Sequence, residues 1–226
     1  MKCEEKYAPK NLDEVIYPSS AVKNKIMGYA QGYLEGNVLL YGSNGTGKTS
    51  LTRLLVDAIG GKDASVETDE FEQLLSKSDL KKYLRNSCSV AQFTDSKKHF
   101  IILNEFDQAK KNIGVFWRAL DACGTDLMII ITTNKPMEID ISLRSRCDLI
   151  EMQMIKASNV LQRIQFILQA EGLNLPDQQV LSYLTAVEHL GDMRFYFRKA
   201  DELLYLHAMG LSLPNWNPTT PALQVV

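Results

Sequence analysis

The stretch "VLLYGSNGTGKTSLTRLLVDAI", Val38 to Ile59, decides the fold. Val38 to Tyr41 form a short apolar run that reads as a buried strand, and Leu51, Leu54, Leu55 and Ile59 recur at the spacing of one helix face. Between them, Gly42 to Thr49 fits the pattern G-x-x-x-x-G-K-[ST]. Strand, glycine loop and helix in that order make a phosphate-binding loop. Gly42, Gly45 and Gly47 allow backbone conformations that a side chain would block, so successive N–H groups can converge on phosphate oxygens at the positive end of the helix. The nucleotide-holding set is then Gly42, Asn44, Gly45, Thr46, Gly47, Lys48, Thr49 and Ser50. Lys48 is expected at the β and γ phosphates and Thr49 on Mg²⁺, which makes ATP and Mg²⁺ the expected cofactors.

Composition limits what can surround this loop. A chain of 226 residues can bury one good core, or one core and a small satellite. The hydrophobic share of 45% and charged share of 23% are those of an ordinary globular protein. A net charge of −2 gives no global basic field, so any nucleic-acid contact must come from a local patch. Cys3, Cys88, Cys123 and Cys147 are scattered without a C-x-x-C pair, which argues against a zinc site and a disulfide framework and points to a reducing, cytoplasmic compartment. No apolar run approaches the roughly 20 residues that span a bilayer, and "MKCEEKYAPK" lacks a signal-peptide core.

The pattern alternates between strand and helix up to about Ile150 and is helical thereafter. "KKHFIILNEFD" supplies a second strand, Phe100 to Leu103, and "DLMIIITTN" a third, Leu127 to Ile131. Continuous apolar runs of this kind suit a parallel sheet covered on both faces, where ligands bind at the carboxyl ends of the strands. "SNVLQRIQFILQAEGL", "PDQQVLSYLTAVEHLG" and "MRFYFRKADELLYLHAMG" read as three helices separated by Gly and Pro signals. The expected organisation is an α/β nucleotide-binding domain over 1–154, a helical lid over 155–210 and a Pro-rich tail over 211–226.

In this order the motifs resemble the AAA+ ATPases of the clamp-loader type, the small subunits of replication factor C and their bacteriophage counterparts. "EKYAPKNLDEVIYP" is similar to the family's opening E-K-Y-R-P-x-x-L-D-E-V, "IILNEFD" to its Walker B strand, "ITTN" to its sensor 1 strand, "SRC" to its arginine-finger motif and "GDMR" to its sensor 2 motif. The resemblance runs from about Glu5 to about Leu206. It implies that Glu105 polarises the water that attacks the γ phosphate, a task for a carboxylate general base. It also implies that Asn134 contacts that water or a γ oxygen, and that Arg194 touches the γ phosphate of its own subunit. Arg146 would reach into a neighbour's site, where a planar, permanently charged guanidinium suits a leaving phosphoryl group. Tyr7, Pro9, Val15, Ile16 and Tyr17 are expected to form the adenine-side wall.

The chain departs from the family's pattern in several places. Where the family's Walker B strand ends Asp-Glu, this one ends Asn104-Glu105, so Asn104 would meet the metal's waters without a charge. Asp107 could compensate in part. Ala8 stands where the family has Arg, and Ser142 where a Pro is common. Clamp-loader subunits continue into a helical collar, whereas this sequence stops at "LSLPNWNPTTPALQVV". Either the sequence covers the first two domains of a longer protein or assembly runs through the ATPase domains alone.

Self-association into a ring or other oligomer is implied, with DNA, a sliding clamp or a replicative helicase as partners. For DNA, "SKSDLKKYLRNSCSV" places Lys77, Lys81, Lys82 and Arg85 on a helix, with Lys81 and Arg85 on one face. Lys97, Lys98, Lys110 and Lys111 flank the Walker B strand as further candidates. Three functions stay open at this point: a clamp-loader-like motor in DNA replication, a helicase loader, and an ATP-controlled structural assembly with slow turnover.

Overall fold

The computed structural model describes residues 2–68, 74, 79–106 and 113–214. Its frame is a five-stranded parallel sheet of β1 (Asn37–Tyr41), β2 (Ser65–Thr68), β3 (His99–Leu103), β4 (Leu127–Thr133) and β5 (Cys147–Glu151), in the spatial order β2-β3-β4-β1-β5. The side chains of β1 alternate between two cores. Val38 and Leu40 pack with Ile26, Leu51, Leu55, Phe100 and Ile130 on one face. Leu39 packs with Leu84, Ile101, Phe116, Ile129 and Ile131 on the other. Every residue of β3 and β4 is buried, the burial that their unbroken apolar runs predict.

The helices on either face are α2 (Ser20–Ala30) and α3 (Lys48–Gly60), and α4 (Leu80–Ala91) and α5 (Ile113–Asp121). Short helices α1 (Cys3–Lys6) and α6 (Ile141–Arg144) precede α2 and β5. Asp79 caps α4 by accepting the Lys82 N–H at 3.0 Å, a bond that contributes about 1 kcal/mol at a helix start.

The sequence pattern does not announce β2 and β5. Both are edge strands. The Ser-Val-Glu-Thr of β2 buries nothing fully, and β5 buries only Ile150, because each has a neighbour on one side alone. The expected strands are present and slightly longer than read, β4 running on to Thr133.

The C-terminal helices are α7 (Ala157–Ala170), α8 (Asp177–Glu188) and α9 (Arg194–Ala208). They share a core of their own, with Val160, Ile164, Ile167, Leu168, Val180, Leu184, Ala200 and Leu203 fully buried. Cys3 of α1 is buried in this same core, with Tyr7 and Ile16 packed against it, and the Cys3 N–H donates to Asp201 of α9 at 2.9 Å. The chain's first turn therefore sits on the helical region. Among the described residues, no helix is long and apolar enough to cross a membrane.

Candidate nucleotide site

The carboxyl ends of β1, β3 and β4 open into a cavity of about 480 Å³ whose far wall is the N-terminal segment and the start of α9. That volume falls in the range of small-molecule sites. Asn44 to Ser50, Glu105, Asn134, Arg194, Tyr7, Pro9, Val15 and Ile16 all line it. Of the expected nucleotide-holding residues, Gly42 is not at the wall. It lies beneath, at φ 149°, where a Cβ would come within 2.2 Å of the Met152 carbonyl oxygen, and its own carbonyl accepts from Lys48.

The loop itself is built for an anion. Gly47 occupies the N-cap of α3 at φ 84°, in the left-handed region, and no side chain caps the helix. The first N–H groups of α3, which the N-cap glycine has no side chain to cap, lie at the positive end of the helix dipole and open to the cavity. Lys48 is buried, and its ammonium donates to the Gly42 carbonyl (2.9 Å), the Ser43 carbonyl (2.7 Å) and Asn134 Oδ1 (2.8 Å). These three acceptors, among the described residues, already engage the ammonium, so an incoming phosphate oxygen competes with them for its N–H groups.

Glu105 follows β3 in a turn at φ 51°, which a residue with a side chain adopts only at a cost. Asn104 beside it does not line the cavity; its Oδ1 faces the Thr132 hydroxyl at 3.4 Å. Of the two residues expected at the metal, Thr49 lines the cavity and Asn104 stands outside its wall. The exposed Thr49 hydroxyl and the Glu105 carboxylate face one space. Hard oxygens of this kind fit Mg²⁺, which keeps much of its water and binds chiefly through phosphates. Asp107, Lys110 and Lys111 lie outside the described residues, as does Lys77.

The other wall is fastened by charge. Arg194, 56% exposed, sits 3.7 Å from Glu4 and 3.7 Å from Asp192. Asp192 presses on the loop from above. A Cβ on Gly45 (φ 71°) would lie 1.9 Å from its Oδ1, and the Met193 N–H donates to the Gly45 carbonyl at 3.1 Å. Tyr7 donates its hydroxyl to Glu171 at 2.6 Å, and Lys6 pairs with the same carboxylate. Tyr17 turns away from the wall, its hydroxyl donating to the Leu12 carbonyl at 2.9 Å inside the core.

Arg163, Thr132, Thr133 and Phe197 also line the cavity, and sequence reading missed them as site residues. Arg163 Nη2 donates to the Tyr7 carbonyl at 2.8 Å and so ties α7 to the N-terminal wall. No motif flags Arg163 or Phe197. For the threonines the signal was present, since both belong to the "TTN" that ends β4.

Arg146 is elsewhere. It precedes Cys147, which pairs with Asn37 at the start of β1, so it lies at the opposite end of the sheet from the loop. Its guanidinium forks onto Asp121 with two bonds of 3.2 Å, lies 5.8 Å from the centre of the Trp117 ring, and is 39% exposed. Lys81, Lys82 and Arg85 are exposed on α4, whose buried stripe is Leu80, Leu84, Cys88 and Ala91.

The family profile described as "ATPase family associated with various cellular activities (AAA)" matches residues 38–154, the span from β1 to the end of the sheet. The chain belongs to the AAA family. Within it, this AAA chain is 26% identical over 203 residues to the replication factor C large subunit of Archaeoglobus fulgidus, covering 84% of the chain and 42% of that protein. It is 26% identical to the sliding-clamp-loader large subunit of Enterobacteria phage T4, over 80% of the chain and 58% of that protein. It is 28% identical to replication factor C subunit 2 of Saccharomyces cerevisiae, over 84% and 57%. The chain spans about half the length of these relatives. Among solved structures, a point variant of Thermotoga maritima RuvB superposes with a TM-score of 0.67 at 17% identity, covering 92% of this chain and 68% of that one. AMPPCP-bound DnaA from Aquifex aeolicus gives 0.63 at 16%, with 90% and 68% covered. At such identities the likeness shows the shared fold.

Proposed function

We propose that this AAA chain binds ATP with Mg²⁺, hydrolyses it, and works as a subunit of an oligomeric motor of the clamp-loader type in DNA replication. The observation that carries the reading is the convergence of Lys48, Glu105, Asn134 and Arg194 in one cavity from four separate parts of the chain. The relatives named for replication factor C and for a phage sliding-clamp loader supply the process.

In this reading the loop's N–H groups and Lys48 hold the β and γ phosphates, and the base lies against Tyr7, Pro9, Val15 and Ile16. Thr49 would hold Mg²⁺, which when bound supplies neutralising charge across the β and γ phosphates. Glu105 takes the proton of the attacking water, with Asn134 orienting that water or a γ oxygen. Arg194 gives up Glu4 or Asp192 to meet the γ phosphate. The division at about Ile155 then separates the sheet from a lid, and the chain's first turn moves with the lid, to which Cys3 and Tyr7 are bound.

Arg146 has no reach to its own cavity across the length of β1, so its part in hydrolysis requires the cavity of a second subunit. DNA is met by Lys81, Lys82 and Arg85 on the outer face of α4, repeated around the assembly, with a sliding clamp as the protein partner.

Mixing two inactive variants tests the assembly. Arg146→Ala and Lys48→Ala subunits, each unable to turn over ATP alone, should recover hydrolysis together, because an intact finger then faces an intact loop at mixed interfaces. A finger is worth about 10³ to 10⁵ in rate, so even a minority of such interfaces is measurable. Full turnover by Arg146→Ala alone would reject the reading.

A further inference from the structure

We infer that Thr132 is the positioning residue that holds Glu105 in its working geometry. The inference rests on the reading of Glu105 as the general base and adds what keeps that carboxylate in place.

Glu105 stands at φ 51°, in the left-handed region, which a residue bearing a Cβ adopts only at a cost. Such a conformation persists only where the surroundings over-determine it. Here one residue on the neighbouring strand takes both successive N–H groups of the turn. The Glu105 N–H donates to Thr132 Oγ1 at 3.0 Å, and the Phe106 N–H donates to the Thr132 carbonyl at 2.8 Å. The hydroxyl accepts the Glu105 N–H on one lone pair and donates its own proton to Asn104 Oδ1, 3.4 Å away. Asn104, Glu105 and Phe106 are therefore all referred to Thr132, which is 1% exposed and has no freedom to follow a moving turn.

The end of β4 extends the same logic residue by residue. Thr133 accepts the Gly42 N–H on its carbonyl at 3.3 Å, and Asn134 accepts from Lys48 at 2.8 Å. Thr132 registers the general-base turn, Thr133 the phosphate loop and Asn134 the lysine, so the last two residues of β4 and the one that follows set the spacing between base and phosphates. A misplacement of about 1 Å between reacting groups can cost on the order of 10²-fold in rate, which makes this spacing consequential.

The test separates the hydroxyl from the bulk it carries. Thr132→Val keeps the shape and removes the hydrogen bonds; Thr132→Ser keeps the hydroxyl and removes a methyl. Thr132→Val should lower the turnover number of ATP by about tenfold or more while KM for ATP stays within about twofold, and Thr132→Ser should restore most of it. In a Glu105→Gln background, which itself cuts hydrolysis by about 10²-fold, the Thr132→Val loss should disappear, because no general base is left to misplace. Hydrogen exchange of the Glu105 amide supplies a readout independent of turnover: it should quicken in Thr132→Val and stay protected in Thr132→Ser. If Thr132→Val does not fold, Thr132→Ala against Thr132→Ser makes the same comparison between two smaller side chains.

Wild-type turnover and Glu105 amide protection in Thr132→Val, with Glu105→Gln inactive, would overturn the positioning role and leave the general base standing. Full activity in Glu105→Gln would overturn the reading of the general base itself.

Discussion

The two walls of the nucleotide cavity are made of different material. The floor, which is the phosphate loop with the ends of β3 and β4, is held by backbone and buried side chains: Thr46, Lys48, Thr132 and Thr133 are all buried. In the roof, which is the N-terminal segment with the helical region, pairs of half-exposed charged groups, Arg194 with Glu4 and Lys6 with Glu171, join those two parts beside the buried Cys3. Exposed ion pairs are each worth about 0–1 kcal/mol, whereas an unsatisfied buried polar group costs about 1–3 kcal/mol. The charge of a nucleotide can therefore displace the roof's pairs far more readily than it can rearrange the floor. Under the proposed function, this difference suits a motor in which the sheet stays fixed and the helical lid reports what is bound.

The largest effect should come from the floor. Lys48→Ala removes the buried ammonium that donates to the Gly42 and Ser43 carbonyls and to Asn134; ATP binding, measured by titration of a fluorescent nucleotide, should fall by more than about 100-fold. Retained micromolar affinity would mean that the floor does not hold the phosphates.

Next comes a place where floor and roof touch. Gly45→Ala would force a Cβ into the Asp192 carboxylate at a left-handed position, so melting should show a loss of about 1–3 kcal/mol and ATP affinity should fall about tenfold. Wild-type melting and binding would show that Asp192 yields freely and that the two walls are not coupled there.

A smaller effect belongs to the roof alone. Glu171→Ala frees Lys6 and Tyr7 together, and should weaken ATP binding by only about two- to fivefold, leaving Lys48-dependent binding in place. A loss as large as that of Lys48→Ala would erase the distinction between the walls.

The smallest effect is one of pH. The Lys6 ammonium first, and the Tyr7 hydroxyl second, hold the Glu171 carboxyl below its ordinary range. A depressed carboxylate contributes stability above the unfolded-state value of about 4.3 and loses it as the pH falls through the lower folded value. The melting-temperature gap between wild type and Glu171→Ala should thus be constant near neutrality and close only in acid. A gap that closes above pH 5 would assign the fastening to another group.

Much of the floor could be read in advance, and in the roof Tyr7, Pro9, Val15, Ile16 and Arg194 were expected at the cavity and line it. The floor follows from local pattern, because a buried strand needs an unbroken apolar run, a phosphate loop needs its glycines where the backbone turns left-handed, and both requirements leave a fixed spacing in the chain. Val38–Tyr41, Gly45, Gly47, Lys48 and the polar ends of β3 and β4 were all legible in that way. So were the three C-terminal helices, from their apolar periodicity and their Gly and Pro punctuation.

Tertiary structure alone decided the rest. Edge strands β2 and β5 carry no such run, since one side of each has no neighbour to bury against. Asn104 was expected at the metal from its place in a motif, yet its side chain faces Thr132, a residue 28 positions away whose hydroxyl is supplied by strand pairing. Arg163, and the pairing of Arg194 with Glu4, join residues separated by most of the chain, and a surface charge looks the same in sequence whatever it meets. The sequence by itself determined the sheet's centre, the loop and the identity of the residues that could do chemistry. Which of them share a cavity, and what holds each in place, depended on long-range packing that leaves no local period to read.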